Sequence, residues 1–228
     1  MSNITSAYQA YYKKQQAIHV YPVEFVVRTL LGSYKNLSLD KSKFLGSRIL
    51  DLGYGDARNM PLLSNLGFEI HGLEISDEIN NLAQQRLSAL DVSATLKTGH
   101  NTNIPYPDSY FQYILACHSC YYVRENESFT DTLNEISRVL DSNGIFICSL
   151  PFNDTYILHG AEILADGHYR IQNDPYQLRN GTIFRAFSSR QEIIHALENH
   201  FTDFRIGFCN DDFYGIHQKV WIVTCWKK

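Results

Sequence analysis

A short apolar run from Arg48 to Leu52 leads into Asp51-Leu-Gly53-Tyr-Gly55-Asp-Ala-Arg58, and a second apolar run ends at Glu74. Two glycines one residue apart allow a tight turn and let the backbone approach a ligand closely. An acidic residue about 21 positions beyond the first glycine can accept two hydrogen bonds from a ribose diol. Each feature alone has a plainer reading, an ordinary turn and a surface or helix-cap carboxylate. Together, between strand and helix, they point to a cofactor that contains adenosine.

Two cofactor types compete for such a turn. A dinucleotide wants a third small residue in G-x-G-x-x-G, so that the helix packs close and its N-terminus meets the pyrophosphate. Here the third position is Arg58. A long side chain there favours a cofactor without phosphates.

The elements that must position these residues alternate between strand and helix. After the run at Arg48–Leu52, Met60 to Leu66 reads as a short helix with Pro61 in its first turn, where a missing N–H costs little. Phe68 to Glu74 is the second strand. Ser76 or Asp77 caps a helix that runs to about Leu90, and Ala94 to Thr98 is a weak third strand. Phe111 to Ala116 is the fourth. Phe129, Leu133, Ile136 and Leu140 mark one face of a helix. Asp141-Ser-Asn-Gly144 reads as a turn and Ile145 to Leu150 as the fifth strand. A less regular stretch follows to Ala186. A helix at Gln191–Asn199 and strands near Phe204–Cys209 and Val220–Trp226 complete the chain. The pattern predicts an α/β fold. It is a doubly wound, Rossmann-like sheet of seven strands, mostly parallel with an antiparallel edge strand.

Four stretches then resemble, in order and spacing, the motifs of class I S-adenosylmethionine-dependent methyltransferases that act on small molecules (the type 11/25 kind). ILDLGYGDARNMPLL resembles the first motif, (D/E)xGxG, and HGLEIS the second, with its acid at the end of a strand. TGHNTNIPYPDSYFQYI and ISRVLDSNGIFICSLP resemble the third and fourth regions. The resemblance covers Arg48 to Pro151, near half the chain. It implies one methyltransferase domain over 1–228, with a helical N-terminal cap (1–46) and a cofactor-binding core (47–151). An acceptor-side insertion (152–186) and a C-terminal helix with strands (187–228) follow.

It also implies roles. Asp51, Gly53 and Gly55 would line the methionine end of S-adenosylmethionine. Glu74 would bind the ribose hydroxyls and Ile75 would pack on the adenine. The pair that usually reads the adenine edge is His100 and Asn101, without the customary acid. Cys117 and His118 would lie near the methionine moiety and the transferred methyl. Methyl transfer from a sulfonium is an in-line displacement in which the protein mainly positions the nucleophile, so no catalytic triad is expected. A base is needed only if the acceptor must lose a proton, and His118 is the candidate. A partly buried histidine with a satisfied hydrogen bond is its plainer reading.

Cys117-His-Ser-Cys120 spells CxxC, but no second cysteine pair accompanies it, and neither a redox motif nor a metal site is expected. Tyr8, Tyr11 and Tyr12 share a face if their segment is helical, and with Tyr21 they could pack on the sheet or form a lid. Arg28, in an amphipathic helix at Val23–Leu31, suits a solvated face. Between Pro151 and Ala186, Tyr156, Tyr176, Arg179 and Arg185 suit acceptor recognition, and arginines there could hold a carboxylate or phosphate. His159 and His168 read as loop residues.

The chain has 228 residues, 44% hydrophobic and 19% charged, which suits one folded domain. A net charge of -4 argues against a nucleic-acid partner. Without a leader-like or membrane-length apolar run, a cytoplasmic protein with reduced thiols is expected. The acceptor, the atom methylated and the oligomeric state stay open. So do two other readings: a non-catalytic S-adenosylmethionine-binding domain and an NAD(P)-dependent oxidoreductase.

Overall fold

The computed structural model describes residues 3–14 and 19–228. The chain begins with α1 (Asn3–Lys14) and α2 (Glu24–Leu31). The core follows as β1 (Arg48–Leu52), α3 (Met60–Asn65), β2 (Glu69–Glu74), α4 (Asp77–Ala89), β3 (Thr95–Thr98) and β4 (Phe111–Ala116). Next come β5 (Tyr122–Val123), α5 (Phe129–Val139) and β6 (Leu140–Pro151). The rest holds β7 (Glu162–Ile163), β8 (His168–Arg170), β9 (Ile183–Arg185), α6 (Arg190–Leu197), β10 (Phe201–Phe213) and β11 (Ile216–Lys227).

Seven strands form the main sheet in the order β10-β11-β6-β4-β1-β2-β3. From β6 to β3 every pairing is parallel. β11 runs antiparallel to both β6 and β10, so the reversed strand lies one place in from the edge. Leu50 and Leu52 face one core cluster and Ile49 the other, as alternation along a strand buried on both faces requires.

Local chemistry sets the helix starts. The Ser76 hydroxyl accepts from the Ile79 N–H at 3.3 Å, so Ser76 rather than Asp77 caps α4. Ser128 and Asp131 form a reciprocal capping box at α5. Ser189 caps α6. Arg28 is exposed and bonded to Glu24 one turn away, on a solvated face.

Three differences from the sequence expectation have physical causes. The turn at Asp141–Gly144 is absorbed into β6 as an irregularity, with Asn143 at φ +59° between the pairings Phe111–Leu140 and Tyr113–Ile145. β10 and β11 extend well beyond the expected spans because they zip together as one long hairpin, from Phe201–Lys227 to Phe213–Ile216. The irregular stretch after β6 contains three short strands that join β5 in a second sheet, ordered β5-β9-β8-β7. Strands of two or three residues leave too little alternation to read. Among the described residues no helix is long and apolar enough to cross a membrane.

Candidate active site

Strand order reverses between β1, which continues outward to β2 and β3, and β4, which continues to β6 on the other side. Ligands in such sheets bind beyond the carboxyl ends of the strands at that switch. A cavity of about 1100 Å³ opens there. Typical small-molecule pockets run from roughly 300 to 1,000 Å³, so this one stands at the large end.

Its floor is the turn after β1. Gly53 has φ +67°, and a Cβ on it would lie 2.5 Å from the Cβ of Ser119. Only glycine fits both the left-handed backbone and that approach. Gly55, at φ +59°, lies against the Tyr12 hydroxyl from α1. Arg58 lines the wall and forms a bidentate pair with Asp56 at 2.9 and 2.7 Å. No third small residue occupies that position.

Glu74 stands at the end of β2. One of its oxygens accepts from the Gly55 N–H and the other from the Ile75 N–H, each at 2.8 Å. Burial raises its pKa while these two bonds oppose the rise. A carboxylate offers about four acceptor positions, so two remain for a ligand. Ile75 keeps 38% of its surface exposed, and it faces the cavity without covering. Beyond β3, His100 and Asn101 also line the wall. Asn101 donates to the Ser119 carbonyl at 3.0 Å, and the Arg124 guanidinium lies 2.9 Å from His100 Nε2. Burial and then Arg124 lower the His100 pKa.

Asp51, expected at the methionine end, stands in β1 just before the turn. It is fully buried, does not line the cavity, and neither carboxyl oxygen has a hydrogen-bond partner. Burial, with Glu74 and Asp56 nearby, pushes its pKa up to about 8. It sits inside β1, two residues before the turn whose glycines line the cavity.

Past β4, Cys117 and His118 both line the cavity. His118 holds φ +57°, uncommon for a residue with a Cβ. Its backbone N–H donates to the Ser149 hydroxyl at 2.9 Å, and the same hydroxyl meets Nδ1 at 3.1 Å. Phe25 packs edge-on against the imidazole. Burial first, then Arg179 and Arg58, depress the His118 pKa to about 4, so the ring is neutral at neutral pH. Cys117 and Cys120 pack into different core clusters, and all five cysteines are free. Among the described residues no His, Cys, Asp and Glu cluster is arranged to hold a metal.

The roof comes from α1 and the second sheet. Tyr8, Tyr11 and Tyr12 line the cavity, and Tyr8 and Tyr12 stack. Tyr21 is 80% exposed and takes no part. From the other side come Tyr122, Tyr156 and Arg179. His159 and His168 lie outside the wall. Ser119, Tyr122, Ser149 and Asp174 were not singled out from the sequence. Tyr122 follows the Cys-His-Ser-Cys segment closely enough for that place to have flagged it. Ser149 and Asp174 carry no such signal.

Residues 50–148 match the family model described as a methyltransferase domain. YqeM of Bacillus subtilis strain 168, a candidate methyltransferase, is 24% identical over 152 residues. That match covers 66% of this chain and 58% of YqeM, less than two thirds of the relative. An S-adenosylmethionine-dependent methyltransferase of Methanosarcina mazei has a similar fold, with a TM-score of 0.63, 14% identity and 91% and 99% of the two chains covered. So has one of Thermotoga maritima, described as a possible histamine N-methyltransferase, with a TM-score of 0.63, 16% identity and 99% and 100% coverage. At these identities the structures speak for the fold, and the likeness in sequence rests on the matched segment. Residues 50–148 are thus similar to a methyltransferase domain, and the sheet around them has the fold of S-adenosylmethionine-dependent methyltransferases.

Proposed function

We propose that the protein transfers a methyl group from S-adenosylmethionine to an oxygen, nitrogen or carbon of a small molecule. The observation that carries this reading is Glu74. It is a buried carboxylate at the end of β2, braced by two backbone N–H groups and with acceptor positions to spare. Two vicinal ribose hydroxyls suit those positions. The uncovered face of Ile75 suits adenine, and His100 and Asn101 lie where its edge would be. Gly53, Gly55 and Cys117 would border the methionine end. Asp51 acts there only from within β1.

When bound, the cofactor supplies the electrophilic methyl of its sulfonium. The chain's own residues hold the acceptor in line and keep water out, the main protein contributions to a displacement of this kind. His118, neutral and set by Ser149, orients the acceptor or takes its proton where one must leave. Tyr8, Tyr11 and Tyr12 close the site. Free thiols suit a reducing compartment such as the cytoplasm.

A thermal-shift comparison with S-adenosylmethionine, S-adenosylhomocysteine, NAD and NADP tests the reading, because a ligand of the folded state raises the melting temperature. Stabilisation by the two adenosyl compounds alone is expected. Stabilisation by a dinucleotide, or by none of the four, overturns it.

A further inference from the structure

Opposite the glycine turn, the cavity wall contains a charged pair that the proposed cofactor does not need. Arg179 donates to Asp174 through Nε at 2.9 Å and through Nη2 at 3.0 Å. Asp174 is fully buried and lies behind the wall, whereas Arg179 lines the cavity. Three backbone N–H groups, of Tyr176, Leu178 and Arg179, complete the carboxylate's shell. Asp174 is therefore saturated, and it holds the guanidinium by one edge.

The other edge is left for Tyr156 and for a ligand. A guanidinium has five N–H donors in a rigid plane, and Asp174 takes two of them. Tyr8, Tyr122 and Tyr156 all line the cavity and lie near enough to act on the guanidinium, Tyr156 as a hydrogen-bond partner. Tyr8 and Tyr122 join hydroxyl to hydroxyl at 2.7 Å beside it. Tyr121, Tyr122 and Phe184 stack nearby, with centroids 4.4 to 5.2 Å apart, as an apolar wall. The same arginine lies near enough to His118 to act on its imidazole.

The carboxylate proposed to hold the ribose, Glu74, belongs to the cofactor side of the cavity. The carboxylates that reach this wall, Glu125 and Glu127, are tied to Arg170 and Arg124. An ammonium acceptor would meet the guanidinium. A planar carboxylate would match its other edge bidentately, take further hydrogen bonds from tyrosine hydroxyls, and leave an apolar body against the rings.

We propose that the methyl acceptor is a carboxylate with an aromatic or apolar body, seated on the other edge of Arg179 between Tyr8, Tyr122 and Tyr156. The word acceptor rests on the methyl-transfer reading; the carboxylate seat does not.

Calorimetry with benzoate, benzamide and benzylamine tests the seat, both with and without saturating S-adenosylhomocysteine. Removing the guanidinium outright would strand a buried carboxylate, so the variants are Arg179→Lys and Tyr156→Phe. The expected result is that benzoate binds at least tenfold tighter than either isostere. Arg179→Lys should weaken benzoate at least tenfold and Tyr156→Phe severalfold, with S-adenosylhomocysteine affinity unchanged within twofold in both. No benzoate binding, an equal or better response to benzylamine or benzamide, or unchanged benzoate affinity in Arg179→Lys overturns the seat. Loss of S-adenosylhomocysteine binding in the wild-type protein, with benzoate still bound through Arg179, overturns the methyl-transfer reading and leaves the seat standing.

Discussion

The hydroxyls of Tyr8 and Tyr122 meet at 2.7 Å in the cavity wall, although 114 positions separate the two residues. One belongs to α1 and the other to β5, so this bond ties the N-terminal helix to the second sheet. Burial raises the pKa of both, which keeps the phenols protonated. Tyr8→Phe removes the bond and keeps the ring. A stability loss of about 1 kcal/mol is expected. Stopped-flow displacement should also show faster release of S-adenosylhomocysteine. An unchanged release rate would mean that α1 does not gate the site.

Glu74→Ala should weaken S-adenosylhomocysteine binding by about 1.5–3 kcal/mol, the range for hydrogen bonds to a charged group. The variant also frees the Gly55 and Ile75 N–H groups, so the melting temperature should fall. Calorimetry at matched temperature separates the two effects. Unchanged affinity with a lower melting temperature would make Glu74 a brace for the turn and no ribose ligand.

His118 should make the protein acid-sensitive. Its folded pKa is about 4, against about 6.5 for a free histidine. Between these values the unfolded chain takes up a proton that the folded chain refuses. Stability should therefore fall as pH drops from about 6.5 to 4, by up to roughly 3 kcal/mol. His118→Asn tolerates the left-handed backbone and should flatten that part of a denaturation series. If wild type and variant run parallel across this range, the imidazole titrates normally and is not sheltered.

Asp51 predicts the opposite slope. Its folded pKa is raised to about 8, so the folded chain holds a proton that the unfolded one releases. Its effect should grow more destabilising as pH climbs from about 4 to 8, with a plateau above. Asp51→Asn stays neutral, and its melting temperature should gain on wild type across that window. A difference that stays constant with pH would place another group, or an internal water, against the carboxyl.

Much of this arrangement was legible before any coordinates. β1 and β4 run over the spans expected from their apolar residues, because strands buried on both faces read as unbroken hydrophobic runs. The glycine turn and Glu74 could be found because each must occupy one place relative to its strand. The second sheet could not, since its longest strand has three residues and its partner, β5, lies some 40 to 60 positions upstream. Asp174 was invisible for a related reason. Its five hydrogen bonds arise from the path of one loop, and no spacing of residue types encodes that path. Asp51 is expected at the methionine end from the resemblance of the first motif, and its full burial inside β1 depends on packing that the motif does not encode.

The pairing of β5 with β9 bears on how this protein could be re-engineered. β5 sits in the crossover between β4 and α5, inside the segment that matches the methyltransferase-domain model, whereas β9 belongs to the stretch after β6. A chimaera that imports 152–186 from another enzyme would therefore graft three strands onto a foreign docking edge. Tyr122 and Val123 would have to travel with the insert, as a two-piece cassette, for specificity to move between scaffolds.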